Sequence, residues 1–236
     1  MKKILLILVA VFTLSNVNAQ TSIFNNLLQK HVTKDGVVDY KSLQKNEAKL
    51  DEFLSYLANT VPDNSWSANK QKAFWINAYN AYTIKLILNN YPLKSITNIK
   101  VKGKTAWKTP FAKVAGKTYT LDEIEHEVLF KNFFDPRIHV GVNCASGSCP
   151  QLANFAFTEN NIDTELTRLM KLFVNDASRN KISEKKIQIS SIFDWFKVHF
   201  TKNGTVIDFL NQYSETKISP KAKISYLNYD WTLNGK

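Results

Sequence analysis

The sequence predicts an α+β domain, rich in helix, with a small and mainly antiparallel sheet, and three observations carry that expectation. A long apolar stretch, Ala68 to Asn90, has the length and composition of a buried helix. Several segments of alternating polarity are too short for helices and sit between turn residues. Only 7 glycines and 6 prolines punctuate the 236 residues, with no repeat, low-complexity tract or linker, as in one continuous domain.

In chain order, Met1–Ala19 comes first, with Lys2 and Lys3, an apolar run from Ile4 to Leu14 and the small-residue ending Val17-Asn18-Ala19. This pattern predicts a cleaved signal peptide, with residues 20–236 as the globular domain and a periplasmic or secreted location. The apolar run is shorter than the roughly 20 residues that span a bilayer, so no transmembrane segment is expected. Ser22 to Val32 reads as a short helix, Gly36–Tyr40 as a turn with an extended piece, and Lys41 to Asn59 as a helix ending before Pro62. Ser67 offers an N-cap to the long helix, which Pro92 stops. Phe111 to Thr118 reads as a hairpin turning at Ala115-Gly116, after a lysine- and threonine-rich loop over Lys100 to Pro110. Thr120 with Glu123 is a capping box, starting a helix that runs to about Asn132. Asp135-Pro136 reads as a break, and Arg137 to Asn143 alternates like a strand that delivers Cys144 at its end. Further helices are expected over Asn161 to Ala177, Ile192 to Phe200 and Val206 to Tyr213, with strands near Lys186 to Ser190 and Lys223 to Leu227.

The formal net charge is +11, falling to +9 once the two signal lysines are removed. The lysines are dispersed rather than striped, which argues for a solvated surface and against nucleic acid as a partner. Apolar content of 44% supports a sizeable core and excludes a disordered chain.

The chemistry-bearing residues gather around the two cysteines, Cys144 and Cys149, in Asn143-Cys-Ala-Ser-Gly-Ser-Cys-Pro150. A disulfide here would close a very short loop and add little chain entropy, so a bridge is poorly explained as a staple. A thiol followed by small residues suits a nucleophile, and the amides of residues 145–148 are candidate oxyanion donors. Such a thiol needs a partner base. His126, in the capped helix after Glu125, is the candidate, with Asn77 and Asn80, one turn apart in the long helix, as orienters of the site. The other reading of those two amides is that they hold a nearby loop, since buried amides must find partners. His139, in the expected strand, falls out of phase with Cys144 and is expected to point away. His31 and His199 read as ordinary. A metal site from Cys144, Cys149, His126 and His139 lacks zinc-motif spacing, and neither a metal nor a cofactor is expected.

Phe74-Trp-Ile-Asn-Ala-Tyr-Asn80, Ile124-Glu-His126, Asn143-Cys-Ala-Ser146 with Cys149-Pro150, and Tyr226-Leu-Asn-Tyr-Asp-Trp231 together resemble the domain-of-unknown-function 547 family, over about Lys70 to Trp231. That family is one of bacterial envelope proteins and, in plants, of leucine-zipper-associated chains. It is distantly similar to papain-type and transglutaminase-type thiol folds. The resemblance implies a cysteine, a histidine and an acid or amide acting together, and it carries Cys144, His126, Trp75, Asn77, Tyr79 and Asn80 as motif positions. Papain-like chains place the cysteine on a helix N-terminus before the histidine, whereas His126 here precedes Cys144. Two functions follow as expectations. One is an exported cysteine-dependent hydrolase or acyl transferase acting on peptide or amide bonds, with Cys144, His126, Asn77, Asn80 and Glu125 catalytic and Trp75, Tyr79, Ser146 and Cys149 binding a small-molecule or peptide substrate. The alternative is a non-catalytic envelope binding or interaction domain, with Trp75, Tyr79 and Trp107 lining its pocket and a structural Cys144–Cys149 disulfide.

Overall fold

A computed structural model describes residues 20–235. The expected signal peptide lies outside the described residues. The fold is α+β and helix-rich, as the pattern of segments along the sequence predicts, with three small sheets. Helix α1 covers 20–31, α2 Tyr40–Gln44, α3 Glu47–Asn59 and α4 Ala68–Leu88. The helix expected from Lys41 to Asn59 is therefore two helices. Asn46 caps the second while its side chain returns to the carbonyl of Ser42, a local bond that competes with helix continuation.

Helix α4 is the axis of the molecule. Ser67 caps it by accepting from the Lys70 amide, and sixteen of its 21 side chains are buried. A helix apolar on every side must be surrounded, and α3, α7 (Ile162–Asn175) and the helix carrying His126 pack around it. One cluster of buried apolar side chains runs from Phe24 to Ile218.

The lysine-rich loop holds a two-residue-per-strand hairpin, β1 Lys100–Val101 with β2 Lys104–Thr105. The next hairpin, β3 Ala112–Val114 with β4 Lys117–Tyr119, turns at Ala115-Gly116 as expected. The capping box is present in both directions. Thr120 Oγ1 accepts from the Glu123 amide at 3.0 Å, and the Thr120 amide donates to Glu123 Oε2 at 2.7 Å. From Glu123 to Phe130 the helix is wound as a wide π-helix, then closes as α5, Lys131–Phe133. Such windings recur at functional sites because they re-aim side chains. Here Asp122, Glu125 and His126 all face one cavity.

The expected strand Arg137–Asn143 is instead a short helix, α6 Ile138–Gly141. Alternation of Ile138, Val140 and Val142 is compatible with either state over so few residues. The deciding interactions are at the start. Asp135 Oδ1 accepts from the Arg137 amide at 3.0 Å and the Asp135 carbonyl from Ile138, with Pro136 in the first turn. Asp-Pro thus starts a helix here rather than merely ending one. Gly141 lets α6 press between α4 and α7, since a Cβ there would lie 2.9 Å from Leu166 and 3.1 Å from Ile76.

The remaining sheet has β6 Lys186–Ile189 at its centre, antiparallel to β5 Lys181–Ile182 and parallel to β7 Lys223–Tyr226. Helices α8 Ile192–Trp195, α9 Lys197–Phe200 and α10 Val206–Leu210 form the crossover between β6 and β7. After β7 the tail 228–235 crosses the molecule and lies along the cysteine loop. No helix among the described residues is long and apolar enough to cross a membrane.

Candidate functional site

The cysteine loop is shaped by local bonds. Asn143 Oδ1 accepts from the Ala145 amide at 2.9 Å, Ala145 takes a left-handed φ of 57°, and the Cys149 amide reaches the Ser146 carbonyl at 3.1 Å. That turn folds Cys149 back on Cys144, whose amide donates to Cys149 Sγ at 3.2 Å. Both cysteines are free thiols, so the structure does not hold the bridge of the alternative reading.

Around Cys144 Sγ stand the Ser146 hydroxyl at 3.1 Å and the Tyr229 hydroxyl at 3.4 Å, the two oxygens 3.0 Å apart. A hydrogen bond from the Cys149 thiol, with others from Ser146 and Tyr229, pulls Cys144 down to about 7 against the burial that opposes it. Cys149 moves the opposite way, raised by burial and by its neighbour, and so remains the protonated donor of the two. Burial likewise raises Tyr229.

The thiol opens on a cavity of about 210 Å³ lined by Tyr79, Trp107, Asp122, Glu125, His126, His139, Cys149, Trp195, Phe196, Tyr229 and Trp231, among others. Three tryptophans and Tyr229 form one wall, with Trp107 and Trp195 each against Trp231 and Tyr229 against both Trp195 and Trp231. Trp195 is 49% exposed and marks the mouth.

The opposite wall carries the titratable groups. His126 lies against Phe130 and Phe196, ring centroids 6.3 and 5.9 Å away. Glu125 is buried, and desolvation pushes it up to about 8 despite a hydrogen bond from Tyr79. Its Oε1 is 3.7 Å from His139 Nδ1. Burial drives His139 well below the ordinary histidine value, so near neutral pH this is a contact of two neutral groups and not an ion pair. His139 Nε2 in turn meets His199 Nδ1 at 2.9 Å. His139 therefore faces the thiol cavity, contrary to the strand-based expectation, and His199 has a polar partner 60 residues away. Among the described residues, no group of three or more His, Cys, Asp or Glu is placed to hold a metal ion.

Glu125 gives a pH signature. A carboxyl that is neutral when folded and titrates near 4.5 when unfolded binds more protons in the native state between about 4.5 and 8, so stability falls as pH rises through that window. Glu125→Gln should flatten this fall, giving a melting-temperature advantage over the parent that is absent at pH 4 and grows towards pH 8. An advantage that does not change with pH would show that the carboxyl does not titrate in this way.

Several expected site residues lie elsewhere. Asn77 and Asn80, 3% and 2% exposed, clamp backbone. Asn77 Nδ2 donates to the Phe157 carbonyl at 2.7 Å and its Oδ1 accepts from the Phe157 amide at 2.9 Å. Asn80 does the same for the segment entering the loop, donating to Gly141 O at 2.8 Å and accepting from the Asn143 amide at 2.9 Å. Neither lines the thiol cavity, and the loop-holding alternative describes them. Trp75 is buried between Phe74 and Tyr119 and does not line it either. The loop amides are not a vacant oxyanion hole. Asn143 takes that of Ala145, the Cys144 sulfur that of Ser146, the Thr232 carbonyl that of Gly147 and the Asp230 carbonyl that of Ser148. Tyr229, Trp195, Trp231 and Asp122 were not singled out as site residues from sequence, although the tail motif contains Tyr229 and Trp231.

Residues 64–174, which hold α4, the π-helix and the cysteine loop, match the family model described as "Protein of unknown function, DUF547". This segment is similar to the DUF547 family. The match is narrower than the span suggested by the sequence motifs and excludes the tail. The matching segment supplies the thiol and the titratable wall, while Trp195, Tyr229 and Trp231 come from outside it. No curated protein and no solved structure matches the chain.

Proposed function

We propose that this protein is an exported, cysteine-dependent hydrolase or acyl transferase, with Cys144 as nucleophile and His126 as the proton-transferring base. The observation that carries the reading is a thiol drawn down to about 7 by hydrogen bonds and opening on a cavity that also presents an imidazole. His126 takes the Cys144 thiol proton, the sulfur attacks the carbonyl carbon of an amide or ester, and the carbonyl electrons move to oxygen. With the loop amides occupied, the Tyr229 hydroxyl, which lines the cavity beside the sulfur, is the donor offered to the forming oxyanion. As the intermediate collapses, the C–N or C–O bond breaks and the leaving group takes a proton from His126, leaving a thioester. Water or an amine, deprotonated by His126, then releases the acyl group. Glu125 and His139 line the same cavity as neutral groups. Export rests on residues 1–19.

The tryptophan wall favours a second reading, a binding domain whose ligand stacks on Trp107, Trp195 and Trp231. In that case Cys144→Ser leaves ligand-induced melting shifts intact.

Alkylation tests the first reading. With iodoacetamide, Cys144 should react with a rate that rises with pH about a midpoint near 7, whereas an unperturbed thiol titrates near about 8.5. Peptide mass mapping after short exposure assigns the adduct. A midpoint at or above the ordinary thiol value, or preferential labelling of Cys149, would remove the proposal's basis.

A further inference from the structure

The two thiols are arranged for chemistry that acyl transfer does not use. The Cys149-to-Ser146 turn brings the cysteines together, the Cys144 amide already donates to Cys149 Sγ, and the two sulfurs share a hydrogen bond. Both cysteines line the cavity, Cys144 partly exposed and Cys149 buried, 4% exposed. The spacers Ala145, Ser146, Gly147 and Ser148 are small, so no bulky side chain stands between the sulfurs. Two hydroxyls, of Ser146 and Tyr229, point at the outer sulfur and can bond an oxygen bound there.

We infer that Cys144 and Cys149 form a peroxide-reactive dithiol, in which Cys144 is the site oxidised by a hydroperoxide and Cys149 is the thiol that resolves it. This goes beyond the acyl-transfer reading and does not rest on it. The Cys144 thiolate attacks one peroxide oxygen. The O–O bond breaks, sulfur is oxidised to sulfenic acid, and the departing hydroxide takes up the proton that Cys144 released on ionising, leaving as water. Cys149 sulfur then attacks Cys144 sulfur, the S–OH bond breaks, and the hydroxyl leaves as water with the Cys149 proton. Two thiols and one hydrogen peroxide yield one disulfide and two waters. A small oxidant suits the site because the cavity holds about 210 Å³ and is lined largely by aromatic rings. Cys149 is the less exposed of the two and is kept protonated by burial, so the oxidant reacts first at Cys144.

The test uses the protein of residues 20–236, reduced and then exposed to a few equivalents of hydrogen peroxide at pH 7. Wild type should lose both maleimide-reactive thiols, with a mass decrease of about 2 Da that dithiothreitol reverses. Cys149→Ser should accumulate a dimedone adduct on Cys144, and Cys144→Ser should keep Cys149 alkylatable. The inference fails if wild type retains both thiols, if Cys144 passes to sulfinic acid without a disulfide, or if Cys149 in Cys144→Ser is oxidised as fast as in wild type. The wild-type time course decides the matter even if a variant misfolds, since an early dimedone adduct on Cys144 reports the order of oxidation. No acyl substrate enters this assay. Peroxide reactivity without thioester formation therefore sinks only the acyl-transfer reading, and the converse result sinks only this one.

Discussion

Cys144→Ser should lower turnover of an acyl substrate by roughly 10³-fold or more, with little change in fold. The expected size follows from what the surrounding bonds act on. Donors from Cys149, Ser146 and Tyr229 bring a thiol to about 7, within reach of an imidazole base, but a hydroxyl starts too high for the same bonds to ionise it. The serine oxygen can keep the bonds to Ser146 and Tyr229, so melting temperature serves as the control. The measurement is single-turnover formation of the acyl-enzyme by intact mass. His126→Gln should cost about 10²- to 10⁴-fold in the same assay, with alkylation of Cys144 far less affected, because its bonds, not His126, lower the thiol. Turnover undiminished in Cys144→Ser would end the nucleophile assignment.

The second large effect is on stability. Asn80→Ala removes two buried hydrogen bonds and orphans the Gly141 carbonyl and the Asn143 amide. At about 1–3 kcal/mol for each buried group left unpaired, the expected loss is about 3 kcal/mol, read as a lower denaturant midpoint. Asn77→Ala should cost a similar amount through Phe157. The two variants differ in reach. Asn80 holds the segment that enters the cysteine loop, so its removal should also change the alkylation rate of Cys144, whereas Asn77→Ala should leave that rate alone. Equal effects on the thiol would mean that Asn80 has no particular hold on the loop.

Much of the architecture was legible because its determinants are local. The Ser67 cap, the buried character of α4, the Ala115-Gly116 turn and the Thr120–Glu123 box each depend on residues within a few positions of one another. Arg137–Asn143 reads as a strand because a short apolar alternation fits both states, and Asp135-Pro136, whose Asp135 carboxylate accepts from the Arg137 amide and starts the helix, reads in sequence as a break. The candidate site was legible only in part. Cys144, His126, Glu125, Tyr79 and Cys149 do line one cavity. The bond from His139 to His199 and the occupation of the Gly147 and Ser148 amides by the tail join residues at least 60 positions apart, and no spacing rule reaches that far. Asn77 and Asn80 carried the correct physical demand, two buried amides needing partners, but backbone met it instead of a ligand.

The roof over the thiol has a practical corollary. Tyr229 and Cys144 are 85 positions apart, and the strap from Asp230 to Asn234 is pinned to the loop through Gly147, Ser148 and Ala145. A fragment trimmed to the family-matching stretch, 64–174, would keep Cys144 and Trp107 yet lose the Tyr229 phenol that touches the sulfur and the indole rings of Trp195 and Trp231. Screening such a trimmed piece for activity would sample an open, wet sulfur, and a blank result from it would say nothing about the intact protein.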